Sequence, residues 1–196
     1  MKKSTLQFLF AFVFFTTGLV AQNTFNKNNA VERTKKFESG QISSAKSLVE
    51  NLNSFSTYNL FVEALSQTEL QNTIQGDGLY TVFVISNSGI ESAFSNEKKL
   101  EAFLKSTNAT QIDKLLRYHI IPGSVDKHSM IKEIEKRGGS VTYRTLAETM
   151  LTFKKEGDTI YITVDGGESR AVITDFDLFY NNGTFHVVDC FVKKPA

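Results

Sequence analysis

The sequence predicts an α+β domain. Segments with a helical spacing of apolar residues crowd its first half, and segments with strand chemistry crowd its last third. That segregation indicates α+β rather than a doubly wound α/β sheet. A second observation bounds the size: 196 residues suit one domain with additions and fall short of two full domains. A third concerns how the fold is held. Cys190 is the only cysteine, so no intrachain disulfide can form and an apolar core must do the work.

Residues 1–21, MKKSTLQFLFAFVFFTTGLVA, have the layout of a secretory signal peptide. Lys2 and Lys3 precede an apolar run from Leu6 to Phe15, and Thr16, Thr17 and Gly18 lead to Ala21, after which cleavage is expected. The run is shorter than the roughly 20 apolar residues of a membrane span, so no transmembrane segment is expected after cleavage. No cysteine stands near that bond to carry a lipid. Cleavage removes two lysines and no acid, leaving 20 basic residues against 21 acidic ones and a net charge of −1. A balance of that kind lacks the basic stripe of a nucleic-acid binder, so no nucleic-acid partner is expected. Residues 22–46 are polar and weakly periodic, and they read as a flexible leader to a domain over 47–196.

SLVENL, 47–52, starts the first helix, and YNLFVEALSQTEL, 58–70, follows with Leu60, Phe61, Ala64 and Leu65 on one face. QGDG, 75–78, is a turn, and LYTVFVI, 79–85, is a β-branched and aromatic strand. SNSGIESAF, 86–94, turns into a helix, with Ser88 and Glu91 as a capping box or Asn87 as the N-cap. KKLEAFLKS, 98–106, is a further amphipathic helix. In TQIDKLLRYHI, 110–120, the residues Ile112, Leu115, Leu116, His119 and Ile120 recur at helical spacing, which puts His119 in the apolar stripe. Pro122 stops that helix and pushes Ile121 to an extended conformation. HSMIKEIEK, 128–136, is a helix ended by Gly138 and Gly139. SVTYRTL, MLTFKK, DTIYITVD, RAVITDF and TFHVVDCFVKK then favour strands, with KEGD and NNG joining pairs of them.

Three of these segments carry a resemblance: TVFVISNSGIESAF at 81–94, LLRYHIIPG at 115–123 and GTFHVVDCFVKKP at 183–195. In this order and spacing, with ETMLTFKKEGDTIYITVDG between the last two, they resemble the fasciclin-type domain family, the group of fasciclin, beta-Ig-H3 and periostin. The resemblance covers roughly residues 47–195. Val84 and Ile85 depart from the Ala-Pro that often precedes the family's Thr-Asn step, and Gly89 stands where a helix former is expected. The resemblance implies a β-wedge or sandwich with helices packed around it. It also implies an adhesion or interaction role without a family-wide catalytic activity or cofactor. The expected partner is a protein, matrix or glycan surface. With its signal peptide and brief Met-Lys-Lys start, the chain reads as a single-domain exported member of bacterial type, periplasmic, surface-bound or secreted. Small-ligand or glycan binding, and a place as accessory subunit in an envelope complex, stand as the alternatives.

The candidate motif residues are Asn87, Tyr118, His119 and Asp189. Tyr118 and His119 match a pair that, in some animal members of the family, has been read as part of integrin recognition. As a base, His119 would need a nucleophile, and the sequence offers no G-x-S-x-G elbow and no reactive-cysteine context. As a metal ligand it lacks a partner at i+4, and His128 and His186 show no ligand spacing with it. A buried neutral imidazole that donates and accepts hydrogen bonds explains the apolar face, with Asn87, Asp189 or backbone near residues 81–85 as partners. Cys190 reads as a small apolar residue on a strand face with Val188 and Val192, an intermolecular disulfide being the alternative. DGGE and DFDLF miss the spacing of a calcium loop. Asn108-Ala-Thr110 and Asn182-Gly-Thr184 match the glycosylation triplet, which matters only on a eukaryotic secretory route.

Overall fold

A computed structural model describes residues 31–164 and 170–193. The signal peptide 1–21, the first part of the expected leader, the DGGE stretch at 165–168 and the last residues of the chain lie outside the described residues.

The α+β expectation holds. The strands are β1 (Thr34–Phe37), β2 (Gly40–Ser43), β3 (Tyr80–Ile85), β4 (Ile120–Pro122), β5 (Ser140–Arg144), β6 (Met150–Glu156), β7 (Thr159–Val164), β8 (Ala171–Tyr180) and β9 (Gly183–Val188). The helices are α1 (Leu48–Leu52), α2 (Asn59–Ser66), α3 (Leu70–Gln75), α4 (Asn87–Glu91), α5 (Glu97–Phe103), α6 (Ala109–Arg117) and α7 (Lys127–Lys136). Seven strands make one sheet in the order β4-β3-β9-β8-β7-β6-β5, while β1 and β2 pair separately. β3 and β9 run parallel, Tyr80 against Gly183 through Ile85 against Val188, and the other pairs are antiparallel. Covered on both faces, β9 is buried along its whole length, which fits an unbroken run of apolar and small polar side chains. The Leu146 N–H donates to the Ile120 carbonyl at 2.9 Å, so the segment after β5 reaches back to β4 and draws the two ends of the sheet together.

The flexible leader is corrected over its second part. β1 and β2 form a hairpin whose Phe37 and Ile42 are buried. Phe37 meets Phe55 edge-on and stacks near Tyr58, at ring-centroid distances of 5.3 and 5.9 Å. Asn51 of α1, fully buried, accepts the Ser43 N–H and donates to the Ser43 carbonyl, both at 2.9 Å. Two four-residue strands with one inward apolar side chain each leave almost no periodic signal, so polarity dominated the reading.

Other boundaries moved for identifiable reasons. YNLFVEALSQTEL splits into α2 and α3 because Ser66 Oγ and Thr68 Oγ1 donate to the Glu63 and Leu65 carbonyls, competing with the helix ladder. α6 ends at Arg117, so His119 is not helical: Ile120–Pro122 pairs with Tyr80–Val82 instead, and Pro122 sits on an edge strand where its missing N–H is tolerated. The N-cap of α4 is Ser86, whose Oγ accepts the Gly89 N–H at 3.2 Å, rather than Ser88 or Asn87. β9 stops at Val188, and Cys190, half-buried in a bend, does not continue its face.

Candidate functional site

His119 follows the C-cap of α6 and enters β4. Its backbone and its ring both hold Phe83 of β3. The Phe83 N–H donates to the His119 carbonyl at 2.8 Å, and His119 Nδ1 lies 3.0 Å from the Phe83 carbonyl. A carbonyl only accepts, so Nδ1 carries the proton. Nε2 then accepts the Val192 N–H at 3.3 Å. The ring is wholly buried, edge-on to Phe191 at 5.6 Å. Burial penalises the imidazolium and brings the pKa down to about 4, against an opposing pull from the Phe83 carbonyl. The imidazole is therefore neutral at pH 7, both nitrogens are engaged by backbone, and no proton acceptor is left for catalysis. Backbone of 81–85 supplies a partner, as one of the expectations had it; Asn87 and Asp189 do not.

Those two serve elsewhere. Asn87 Oδ1 accepts the Leu60 N–H at 3.1 Å, a first-turn donor of α2 that has no cap of its own, and Asn87 Nδ2 donates to the Ser56 carbonyl at 2.9 Å. Asp189, exposed, accepts the Val172 N–H at 2.7 Å and returns its own N–H to the Val172 carbonyl at 3.0 Å, closing β8 against the end of β9. The structure thus does not gather the four motif residues into one site.

Sequence reasoning gave His186 no role. It is buried in β9; Nε2 donates to the Val125 carbonyl at 2.9 Å and Nδ1 accepts the Asp177 N–H at 3.1 Å. Burial lowers its pKa, with Asp177 and Asp126 among the groups that oppose the shift. Asp177 lies at a break in the β8–β9 register with φ of 57°, and its Oδ1 accepts the Lys127 N–H at 2.7 Å, beside the N-cap Asp126 of α7. The signal was present: a histidine inside a run with no exposed position must satisfy its nitrogens internally.

Tyr118 differs from the other three because it faces a recess of about 660 Å³. Phe94, Phe103 and Leu115 form its apolar floor, and Lys99, Lys114 and Lys193 stand around it. Lys193 Nζ donates to the Tyr118 hydroxyl at 3.0 Å and lies 4.6 Å from the ring centroid. That hydrogen bond, aided by Thr149 and the charge of Lys114, lowers the phenol's pKa against the opposing effect of burial. The three lysines share no local sequence pattern, so only folding brings them together.

Asn182 is 2 % exposed, which argues against glycosylation at that triplet, whereas Asn108 borders the recess. Among the described residues, no helix is long and apolar enough to cross a membrane, and no three His, Cys, Asp or Glu side chains are placed to share a metal ion.

Comparisons agree with this architecture. A fasciclin domain family model matches residues 56–194. Protein sll1483 of the cyanobacterium Synechocystis is 26 % identical over 152 residues, 78 % of this chain and 76 % of that one. Human periostin is 26 % identical over 144 residues, 74 % of this chain and 15 % of periostin. A solved FAS1 domain pair from the insect cell adhesion molecule fasciclin I superposes with a TM-score of 0.65 at 12 % identity, over 83 % of this chain and 66 % of that one.

Proposed function

The chain belongs to the fasciclin domain family, and from that premise we propose that it is an exported adhesion or interaction module, acting at a cell surface or outside the cell without catalysing a reaction. One observation carries this reading: three of the four motif residues turn their polar groups onto the protein's own backbone. His119 joins β3 to the C-terminal segment, Asn87 caps α2, and Asp189 closes β8. A partner would then meet the outer surface rather than the motif, and His119 takes a structural role instead of a recognition one. Export rests on the Lys2-Lys3 and Leu6–Phe15 pattern at the start of the chain. A protein, matrix or glycan surface is the partner class in keeping with the family. A single weak contact gains strength when many copies line a surface.

Beads coated with the purified protein test the reading. Self-clustering, or saturable binding to whole cells or matrix polymers, is the expected result, and it should survive in a folded His119→Asn variant. Beads that neither cluster nor bind any of these would overturn it. Fractionation of the producing cells checks export, with N-terminal sequencing expected to begin at Gln22.

A further inference from the structure

The recess beside α5 and α6 plays no part in that reading. We propose that it binds a small amphiphilic organic anion, its apolar body on the phenylalanine floor and its carboxylate or sulfate head between Lys99, Lys114 and Lys193. A volume of about 660 Å³ falls in the range of small-ligand sites. Phe94 and Phe103 pack at a centroid distance of 5.0 Å, presenting a continuous aromatic wall. An apolar floor with a few convergent polar groups is the usual composition of such sites.

Charge decides which amphiphile fits. Among the described residues, no carboxylate lines the recess. Asp113 of α6 is already bridged by Arg117, and among the described residues neither Lys99 nor Lys114 has an ion-pair partner. Three ammonium groups around one cavity repel one another, and an anion placed among them relieves that repulsion. Lysines act as mobile point charges on flexible stems, which suits a head group of loose geometry better than the fixed fork of arginine. The Tyr118 hydroxyl, which accepts from Lys193 Nζ, adds a further polar group to the lining beside the three lysines.

The inference stands apart from the adhesion reading, since the recess can bind a ligand whether or not coated beads cluster. Calorimetric titration of the full chain with decanoate, below its micellar concentration, is the test. Saturable one-to-one binding is expected, with decanol and decyltrimethylammonium weaker by about tenfold or more. Reversing the rim in Lys99→Glu/Lys114→Glu should weaken decanoate by about tenfold or more, and Ala102→Phe, which fills the recess from an exposed position, should do the same. Lys154→Glu/Lys155→Glu, exposed on β6, should leave binding unchanged. The lysine reversals are surface changes that leave the floor intact, so they carry the test even if the larger side chain perturbs packing. Absence of saturable binding, equal affinity for the alcohol or the cation, or indifference to the rim reversal would each overturn the proposal. Binding to phosphatidylglycerol vesicles in place of free decanoate would overturn it in favour of a lipid surface.

Discussion

His119 and His186 occupy two corners of one sheet and solve the same problem in opposite ways. Both rings are fully buried. His119 donates from Nδ1 to the Phe83 carbonyl and accepts at Nε2, whereas His186 donates from Nε2 to the Val125 carbonyl and accepts at Nδ1. At the first corner burial is opposed only by the Phe83 carbonyl, and the pKa falls to about 4. At the second the ring lies 5.7 Å from Phe83 and 5.6 Å from Phe176, and two carboxylates work against its depression. The His119 corner ties segments far apart in sequence through their backbone. The His186 corner holds the shape of a bulge. A buried histidine here reports which backbone groups lack a partner, and the tautomer reports whether they are carbonyls or amides.

The largest expected effect breaks the first corner. His119→Ala removes both bonds, leaves the Phe83 carbonyl and Val192 N–H buried without a partner, and opens a cavity, at a cost of about 4 kcal/mol. His119→Asn can still donate toward the Phe83 carbonyl and should lose only about 2 kcal/mol. Urea unfolding of the two variants separates bonding from volume. Equal losses would mean that the ring's size, not its two nitrogens, matters.

Acid is the next lever. The unfolded imidazole titrates near its model value of 6.5, and folded His119 near 4. Between those values the unfolded chain binds more protons, so stability is complete above about pH 6.5 and falls as pH drops toward 4, by on the order of 3 kcal/mol. His186, also depressed, acts in the same direction. Unfolding free energies measured from pH 8 to 4 should show this loss, and His119→Asn should flatten a large part of it. A slope unchanged in that variant would place the pH dependence at the His186 corner and in the carboxylates.

The two corners also differ in how far they could be read in advance. His119 stood out because Ile112, Leu115 and Leu116 frame it at helical spacing, and its buried, neutral role followed from that stripe. The stripe misplaced its conformation, however, since ladder bonds from β4 to β3 outweigh one more turn of α6. Long apolar strands such as β3, β7 and β9 carried their own signal. The β1–β2 hairpin did not, because its fixing contacts, Asn51 with Ser43 and Phe37 with Phe55, join residues that look polar or isolated locally. The lysine-rimmed recess was equally invisible: Lys99, Lys114 and Lys193 come from α5, α6 and the chain's last described residue. Pattern shows which face of an element is buried, but not which surface residues different elements bring together.

Gly89 ties its motif to the His119 side of the sheet. A Cβ there would stand 2.5 Å from the Asp189 carbonyl oxygen and 2.7 Å from Ile85 Cγ2. Neither can retreat easily, since Asp189 is tied to Val172 and Ile85 is fully buried in β3. The residue that looked out of place in a helix is thus required by close packing between α4 and the segment after β9. Gly89→Ala is expected to cost about 2 kcal/mol through overpacking, despite alanine's better helix propensity. Thermal unfolding checks the sign: a stabilised variant would mean that α4 and the segment after β9 can part.

The smallest effect sharpens the second corner. Asp177 adopts a left-handed conformation with φ of 57°, and its carboxylate accepts the Lys127 N–H at the start of α7. Asn tolerates that conformation and keeps an acceptor oxygen, so Asp177→Asn loses only the charge facing the helix N-terminus, about 0.5 kcal/mol. Asp177→Gly removes the acceptor but also removes the steric cost of a left-handed residue, and the two nearly cancel. Urea midpoints should therefore move little in either variant, while the Asp177 N–H stays on His186 in both because that bond belongs to the backbone. A loss of several kcal/mol in Asp177→Asn would show that the carboxylate's charge, rather than the bulge's shape, holds this corner together, and the likeness between the two histidines would end there.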